Sequence, residues 1–349
     1  MLDFSTTELN EIAVHKVDNK ANDEDLICAK SLLFVDDAIN QLLKKYFLTP
    51  FKKDDYFVFH HETDLNLNEV YHYLSEIFED PDRFYINSVN LAKHLYEKAE
   101  HPKIKGGEFY VTFFQSCVVD GEVCEAIGLF KSENKDTYIK VFNQQDAFEV
   151  SADNGVNINK LDKGCIVFNT EKDKGYKLVF IDNTNKGAGN EAHYWKDAFL
   201  QIKQREDNFY HTSNFLDLCK TFVDEHLEEV VVASKHDQII IKENAFKYFE
   251  EKEVFNIEEF QNEALAEPIV IEAFNDYKNT FFQTREIETF DEFDISDKAV
   301  KKAQKQFKSI LKLDKNFHIY IHGRHDLMEK GYDEDQRMNY YKLYFLKEE

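Results

Sequence analysis

The run KGGEFYVTFFQSCVVDGEVCEAIGLF (105–130) decides how this chain is read. Upstream of Lys105 the apolar residues recur at helical spacing; beyond it β-branched and aromatic residues crowd together with a period of two. Asp120-Gly121 divides the run. Both residue types tolerate the positive φ of a type I′ turn, so Glu108 to Val119 and Val123 to Phe130 are predicted to pair as a β-hairpin. Three further runs, Thr137 to Phe142, Gly164 to Asn169 and Tyr176 to Asp182, have the same composition and are bounded by turn residues. Short connections between consecutive strands imply an antiparallel meander, so residues 105 to 183 are expected to form one curved sheet with helices on one face.

Working outward, Ile12 to Val17 and Tyr56 to Phe59 read as brief strands. Ile39, Leu42, Leu43, Tyr46 and Phe47 share one face of a helix ending near Leu48. Asn66 or Asn68 caps a second helix through Phe78, and Glu79-Asp-Pro81 stops it and opens a third that ends before His101-Pro102. Beyond the sheet, helices are predicted at Tyr194 to Leu200, after a Ser213 cap, and through the acidic segment Ala233 to Asp294, which Pro268 breaks. Ser296-Asp297 then caps KAVKKAQKQFKSILKL, and the strand-like runs Asn316 to Gly323 and Met338 to Leu346 close the chain. The expected class is α+β: a central antiparallel meander sheet packed with helices, followed by a mostly helical C-terminal region ending in a β-hairpin. Two domains are expected at this length, 1–232 and 233–349.

The 43% hydrophobic and 15% aromatic content demands a packed core and excludes a disordered acidic tail. Four prolines and eleven glycines exclude collagen-like and flexible-linker architectures. Cys28, Cys117, Cys124, Cys165 and Cys219 are odd in number, scattered and without a C-x-x-C pair, which fits reduced core thiols of a cytoplasmic protein. The first residues carry no basic and apolar leader pattern, and no apolar run is long enough for a membrane, so neither secretion nor membrane partnership is expected.

Charge is unevenly distributed. The formal net charge is −24, yet residues 296–349 hold 12 Lys+Arg against 9 Asp+Glu, leaving −27 on residues 1–295. This excludes coating of duplex DNA by the whole surface and isolates a basic C-terminal island. On the helix expected after Ser296, Lys298, Lys301, Lys302, Lys305, Lys308 and Lys312 oppose a stripe of Val300, Ala303, Phe307, Ile310 and Leu311. Such a row can displace counterions from a phosphate backbone, with Arg324, Arg337 and Lys342 extending it. The competing interpretation is a solvated face that answers the acidic body.

Other chemistries find no support in the spacing. His318 and His322 lie about 13 Å apart along one strand face, too far for shared metal coordination, and His60-His61 point to opposite faces. The glycines at 106, 107 and 164 precede strands rather than helix N-termini, so no phosphate loop is assigned. No nucleophile elbow occurs, and no catalytic residue, cofactor or metal site is expected. The polar segments 130–137 and 157–163 serve as sheet connections or contact loops. Trp195 is expected to anchor helix-to-sheet packing.

Several ordered blocks resemble the bacterial nucleoid-associated protein family: ELNEIAVHKV (8–17), DLNLNEVYHYLSEIFEDP (64–81), HPKIKGGEFYVTFF (101–114), DGEVCEAIGLFKSENKDTYIKV (120–141), NINKLDKGCIVFN (157–169), YKLVFIDNTN (176–185) and YWKDAFLQIKQREDNFYHT (194–212). The resemblance implies a non-enzymatic cytoplasmic protein that co-localises with the nucleoid. Two functional expectations stay open. One is local, weak DNA contact through the basic C-terminal residues. The other is an acidic protein-interaction module, DNA-mimicking in one variant, that a basic nucleoid protein recruits. An enzyme with a dispersed site is a third reading, and homo-oligomerisation stays open.

Overall fold

The computed structural model describes residues 2–52, 55–144, 147–184, 194–230, 235–285, 287–307, 309–313, 315–321 and 327–347. The chain divides into two compact units, Met1–Arg205 and Glu206–Glu349. This division falls upstream of the one expected near residue 232. Phe215, Leu218, Phe222 and Leu227 explain the difference, because all four are buried in the second unit's own core.

The first unit is built on one antiparallel sheet. Its strands are β1 (Leu2–Asp3), β2 (Glu8–Val17), β3 (Leu26–Ile27), β4 (Tyr56–Phe59), β5 (Gly107–Val119) and β6 (Glu122–Ser132). A separate pair, β7 (Asp136–Gln144) and β8 (Ala147–Gly155), precedes β9 (Lys163–Phe168), β10 (Lys177–Asp182) and β11 (Ile202–Gln204). The order across the sheet is β11-β4-β10-β9-β6-β5-β2-β3, with β1 also paired to β5. The hairpin read from Asp120-Gly121 is present: Val119 pairs with Glu122, and the turn residues have φ of 50° and 89°.

One predicted sheet strand is displaced. Thr137 to Phe142 leaves the sheet with β7 and, among the described residues, pairs only with β8, so β9 returns directly beside β6. The helices also differ from the one-face expectation, because both faces of the sheet are covered. On one face Phe109, Val111, Phe113, Ile127, Leu129, Val167 and Leu178 pack with α2 (Glu69–Glu79), α3 (Phe84–Glu97) and a π-helical turn, Tyr194–Leu200. On the other, Phe114, Phe130, Ile166 and Phe168 meet Tyr46, Phe47 and Leu48 of α1 (Asp37–Leu48). Every residue of β9 is buried, so its sequence is nearly continuous in apolar character and conceals which faces are covered.

Local signals explain where the helices start. Asp36 caps α1 through the Ile39 amide, and Asn68 caps α2 through the Tyr71 amide. Asn68 is wholly buried and also donates to the carbonyls of His60, Leu200 and Gln201, tying α2 to the chain around β11. Trp195 has the anchoring role expected of it, fully buried against Phe109 and Phe199 with ring centroids 6.3 and 4.9 Å away.

The second unit is helical around a phenylalanine-rich core. Its helices are α4 (Asn208–Thr221), α5 (Leu227–Val230), α6 (Lys235–Glu251), α7 (Ile257–Phe260), α8 (Pro268–Thr284) and α9 (Asp297–Ala303). α4 starts at an Asp207 cap rather than at Ser213, since Asp207 accepts from the Tyr210 amide. Pro268 occupies the first turn of α8, where its missing N–H costs no hydrogen bond. Within the expected helical stretch, β12 (Val254–Asn256) pairs with β13 (Glu292–Asp294), because Phe255 and Phe293 stack across the pair at 4.8 Å.

Candidate nucleic-acid interface

The basic helix predicted through Leu313 is shorter than its periodicity suggested. α9 ends at Ala303, a 3₁₀ turn spans Gln304–Gln306, and β14 (Ser309–Leu313) then pairs with β15 (Phe317–Ile321). Buried Phe307 closes the helical part by stacking on Phe246 at 5.0 Å. The apolar pattern at 300, 303, 307, 310 and 311 fits a helix, but the FHIYI run supplies a partner strand, and pairing overrides the local period. A further strand pair, β16 (Met328–Asp333) with β17 (Met338–Leu343), lies at the C-terminal end.

This geometry splits the candidate residues. Lys298, Lys301, Lys302 and Lys305 are exposed on α9 and its 3₁₀ extension, while Ala299, Val300 and Phe307 are buried. Ser296 fixes the start of α9 by accepting from the Ala299 amide, and its own amide donates to Thr212 Oγ1 on α4 at 2.9 Å. The lysine cluster is thereby held to a packed helix. Lys302 lies 4.9 Å over the Phe209 ring, a cation–π contact within the unit. Lys312 belongs to β14, opposite His318, so it is not part of a helical row. Lys308 and Arg324, like His322 and His325, lie outside the described residues. Arg337 is exposed in the turn between β16 and β17 with a φ of 53°, and Lys342 on β17 pairs with Glu329 at 3.5 Å.

The first unit holds two polar constellations, each built in part from the polar segments 130–137 and 157–163. A cavity of about 500 Å³ is lined by Lys45, Lys52 and Lys160 together with Thr49, Asn159 and Asp162. These come from α1, the segment after it and the connection before β9, so only the fold assembles them. Asp162 is fixed there, since it accepts from the Glu133 and Asn134 amides and from Asn134 Nδ2.

The second constellation is internal. Lys131 Nζ donates to the Lys105 carbonyl at 2.7 Å and to Tyr194 Oη at 3.1 Å; Tyr194 in turn donates to Glu133 Oε1 at 2.6 Å. Lys163 pairs with Asp182 at 3.0 Å and with the Thr184 hydroxyl. Burial lowers the Lys131 ammonium from its ordinary value against the pull of Glu133, and burial raises the Tyr194 phenol. These polar groups satisfy one another, which is the signature of a structural network.

Among the described residues no group of three or more His, Cys, Asp or Glu is arranged to hold a metal ion. No described helix is long and apolar enough to cross a membrane. All five cysteines are free thiols; burial raises Cys117 to about 11 and Cys124 to about 12, above the range of a reactive thiolate.

Comparison with known proteins places these features in a family. No curated protein matches the chain. The family model described as nucleoid-associated protein YejK matches residues 13–338, spanning most of the sheet, the phenylalanine-rich core and the α9 lysines. The chain therefore belongs to the nucleoid-associated protein YejK family.

Proposed function

We propose that this protein is a non-enzymatic nucleoid accessory that touches DNA locally, through the lysines of α9 and its 3₁₀ extension. The supporting observation is the placement of Lys298, Lys301, Lys302 and Lys305, all exposed within one short packed element of a chain whose net charge is −24. Ammonium groups held on a packed helix release phosphate counterions on contact, and the acidic remainder limits the footprint to that patch. Arg337 lies in the same unit and is a secondary contact candidate. The expected location is the cytoplasmic nucleoid, and the expected affinity is weak and steeply salt-dependent. Titration of a labelled duplex at several salt concentrations, beside the Lys298→Glu, Lys301→Glu, Lys305→Glu variant, tests this reading. A variant with unchanged affinity and salt slope removes the patch from the function.

The surplus of acidic residues favours a second reading, in which a basic nucleoid protein recruits the chain through its acidic surface, in the manner of a DNA mimic. It predicts that nucleoid association survives both the lysine variant and nuclease treatment.

A further inference from the structure

We propose that the β7–β8 ribbon is a dimerisation arm whose uncharged apolar face stacks on the same face of a second copy of this chain. The register sets Ile139 opposite Ala152, Val141 opposite Val150 and Asn143 opposite Phe148. Side chains alternate between the two faces of a ribbon, so Ile139, Val141, Phe148, Val150 and Ala152 share one face. Ile139, Val141, Phe148 and Val150 are 62–73% exposed, although elsewhere in this unit residues of these types fill the core.

Charge is segregated with the same strictness. Asp136, Lys140, Glu149 and Asp153, the charged residues of the described ribbon, all fall on the opposite face, where Lys140 pairs with Asp153 at 3.0 Å. Thr137 and Asn154 bond each other at 2.7 Å at one end of the apolar face, and Asn143 lies toward the other. A face without cations offers no charge attraction to a phosphate backbone or an anionic membrane surface. A face of branched aliphatic and aromatic side chains is complementary to itself, and two ribbons related by a two-fold axis place their acidic faces outward and apart. Contact through this face therefore sets no charged side chain of one ribbon's face against the other, although each chain carries −24.

The area fits that occupant. Taking about 200 Å² for an aromatic side chain and somewhat less for a branched aliphatic one, the exposed apolar area of the face is on the order of 500 Å². Two copies stacked about 10 Å apart would bury about 1,000 Å² in all, the size at which specific interfaces begin. Among the described residues β7 and β8 pair only with each other, so their outer edges are also open to a partner ribbon.

The test uses the full chain. Sedimentation equilibrium over a concentration series is expected to show a species of twice the 41.3 kDa chain mass. Val141→Lys with Val150→Lys, and Val141→Glu with Val150→Glu, should each raise the dimer dissociation constant at least 100-fold, with unchanged circular dichroism. An equimolar mixture of the two double variants should restore the dimer, because opposite charges then meet across the two-fold axis. Lys140→Ala, on the other face, should leave dimerisation intact. A wild-type chain that stays monomeric overturns the proposal, as do charged variants that still dimerise separately or a mixture that stays monomeric.

Discussion

Lys131 on β6 and Lys163 on β9 stand directly opposite each other in the sheet, and neither is more than 1% exposed. Like charges in that position repel, and burial adds desolvation to the cost. Glu133 lies 3.4 Å from one ammonium and 3.7 Å from the other, Asp182 lies 3.0 Å from Lys163, and the Tyr194 ring is 5.4 Å from both. The shared carboxylate makes the pairing tolerable.

Replacing Glu133 with Gln should therefore be severe, because it strands buried positive charge. The expected loss is about 3–5 kcal/mol in urea unfolding. Adding Lys131→Met to that variant removes one uncompensated charge and should recover part of the loss, with Lys163 still held by Asp182. A Glu133→Gln chain within about 1 kcal/mol of wild type would show that water, not Glu133, satisfies the lysines.

His15 supplies a pH dependence of definite sign. Its Nδ1 accepts from the Ala29 amide, so Nε2 carries the proton and faces Ser88 Oγ at 3.1 Å. Burial lowers the imidazole from 6.5 to about 4. Between those values the unfolded chain binds the proton and the folded chain does not, so stability rises with pH through that window and is fully restored above 6.5. Acidification from pH 7 to pH 4 should cost on the order of 2 kcal/mol through this residue alone. The difference in unfolding free energy between wild type and His15→Gln, measured at pH 7, 5.5 and 4.5, should shrink as pH falls. A pH-independent difference would mean that the imidazole binds protons alike in the folded and unfolded chains, so that burial does not lower it.

Short-range signals carried much of this architecture. Asp120-Gly121 announced its hairpin because few residues accept two successive positive φ values, and Asp80-Pro81 marked a helix boundary because proline cannot donate. The departure of β7 from the sheet was not legible, since Tyr138, Ile139 and Val141 have the composition of a core strand and are nevertheless exposed. The end of α9 was concealed for the opposite reason. Ile310 and Leu311 continue a helical stripe in sequence, and the Phe317–Ile321 run that follows makes them a strand. The lysine-rich island was readable as composition, but which lysines share a surface depends on that hairpin.

Asn68 tests how strongly one buried amide organises the first unit. Its side-chain oxygen caps α2 while its nitrogen reaches three carbonyls, so truncation removes a cap and leaves acceptors unpaired. Asn68→Ala should lose about 2–4 kcal/mol. Asn68→Asp keeps the cap and loses the donors, so it should fall short of wild type while amide exchange in the first turn of α2 stays protected. Equal loss of that protection in both variants would assign the stabilisation to the donors alone.

The shortened α9 makes a graded prediction for DNA. Lys301 and Lys305 have no ion-pair partner among the described residues, whereas Lys302 lies over Phe209 and Arg337 occupies a strained turn elsewhere in the unit. Each lysine that contacts a phosphate contributes close to one to the salt slope. Neutralising Lys301 and Lys305 together, as Gln, should lower the magnitude of that slope by about two, and Lys302→Gln by less than one. Arg337→Gly separates charge from backbone: it relieves the positive φ, should stabilise the fold by about 0.5–1 kcal/mol, and lowers the slope only if the guanidinium reaches a phosphate. Equal slope changes for Lys301, Lys302 and Arg337 would indicate a diffuse field rather than a contact surface, and would favour the acidic-module reading over direct binding.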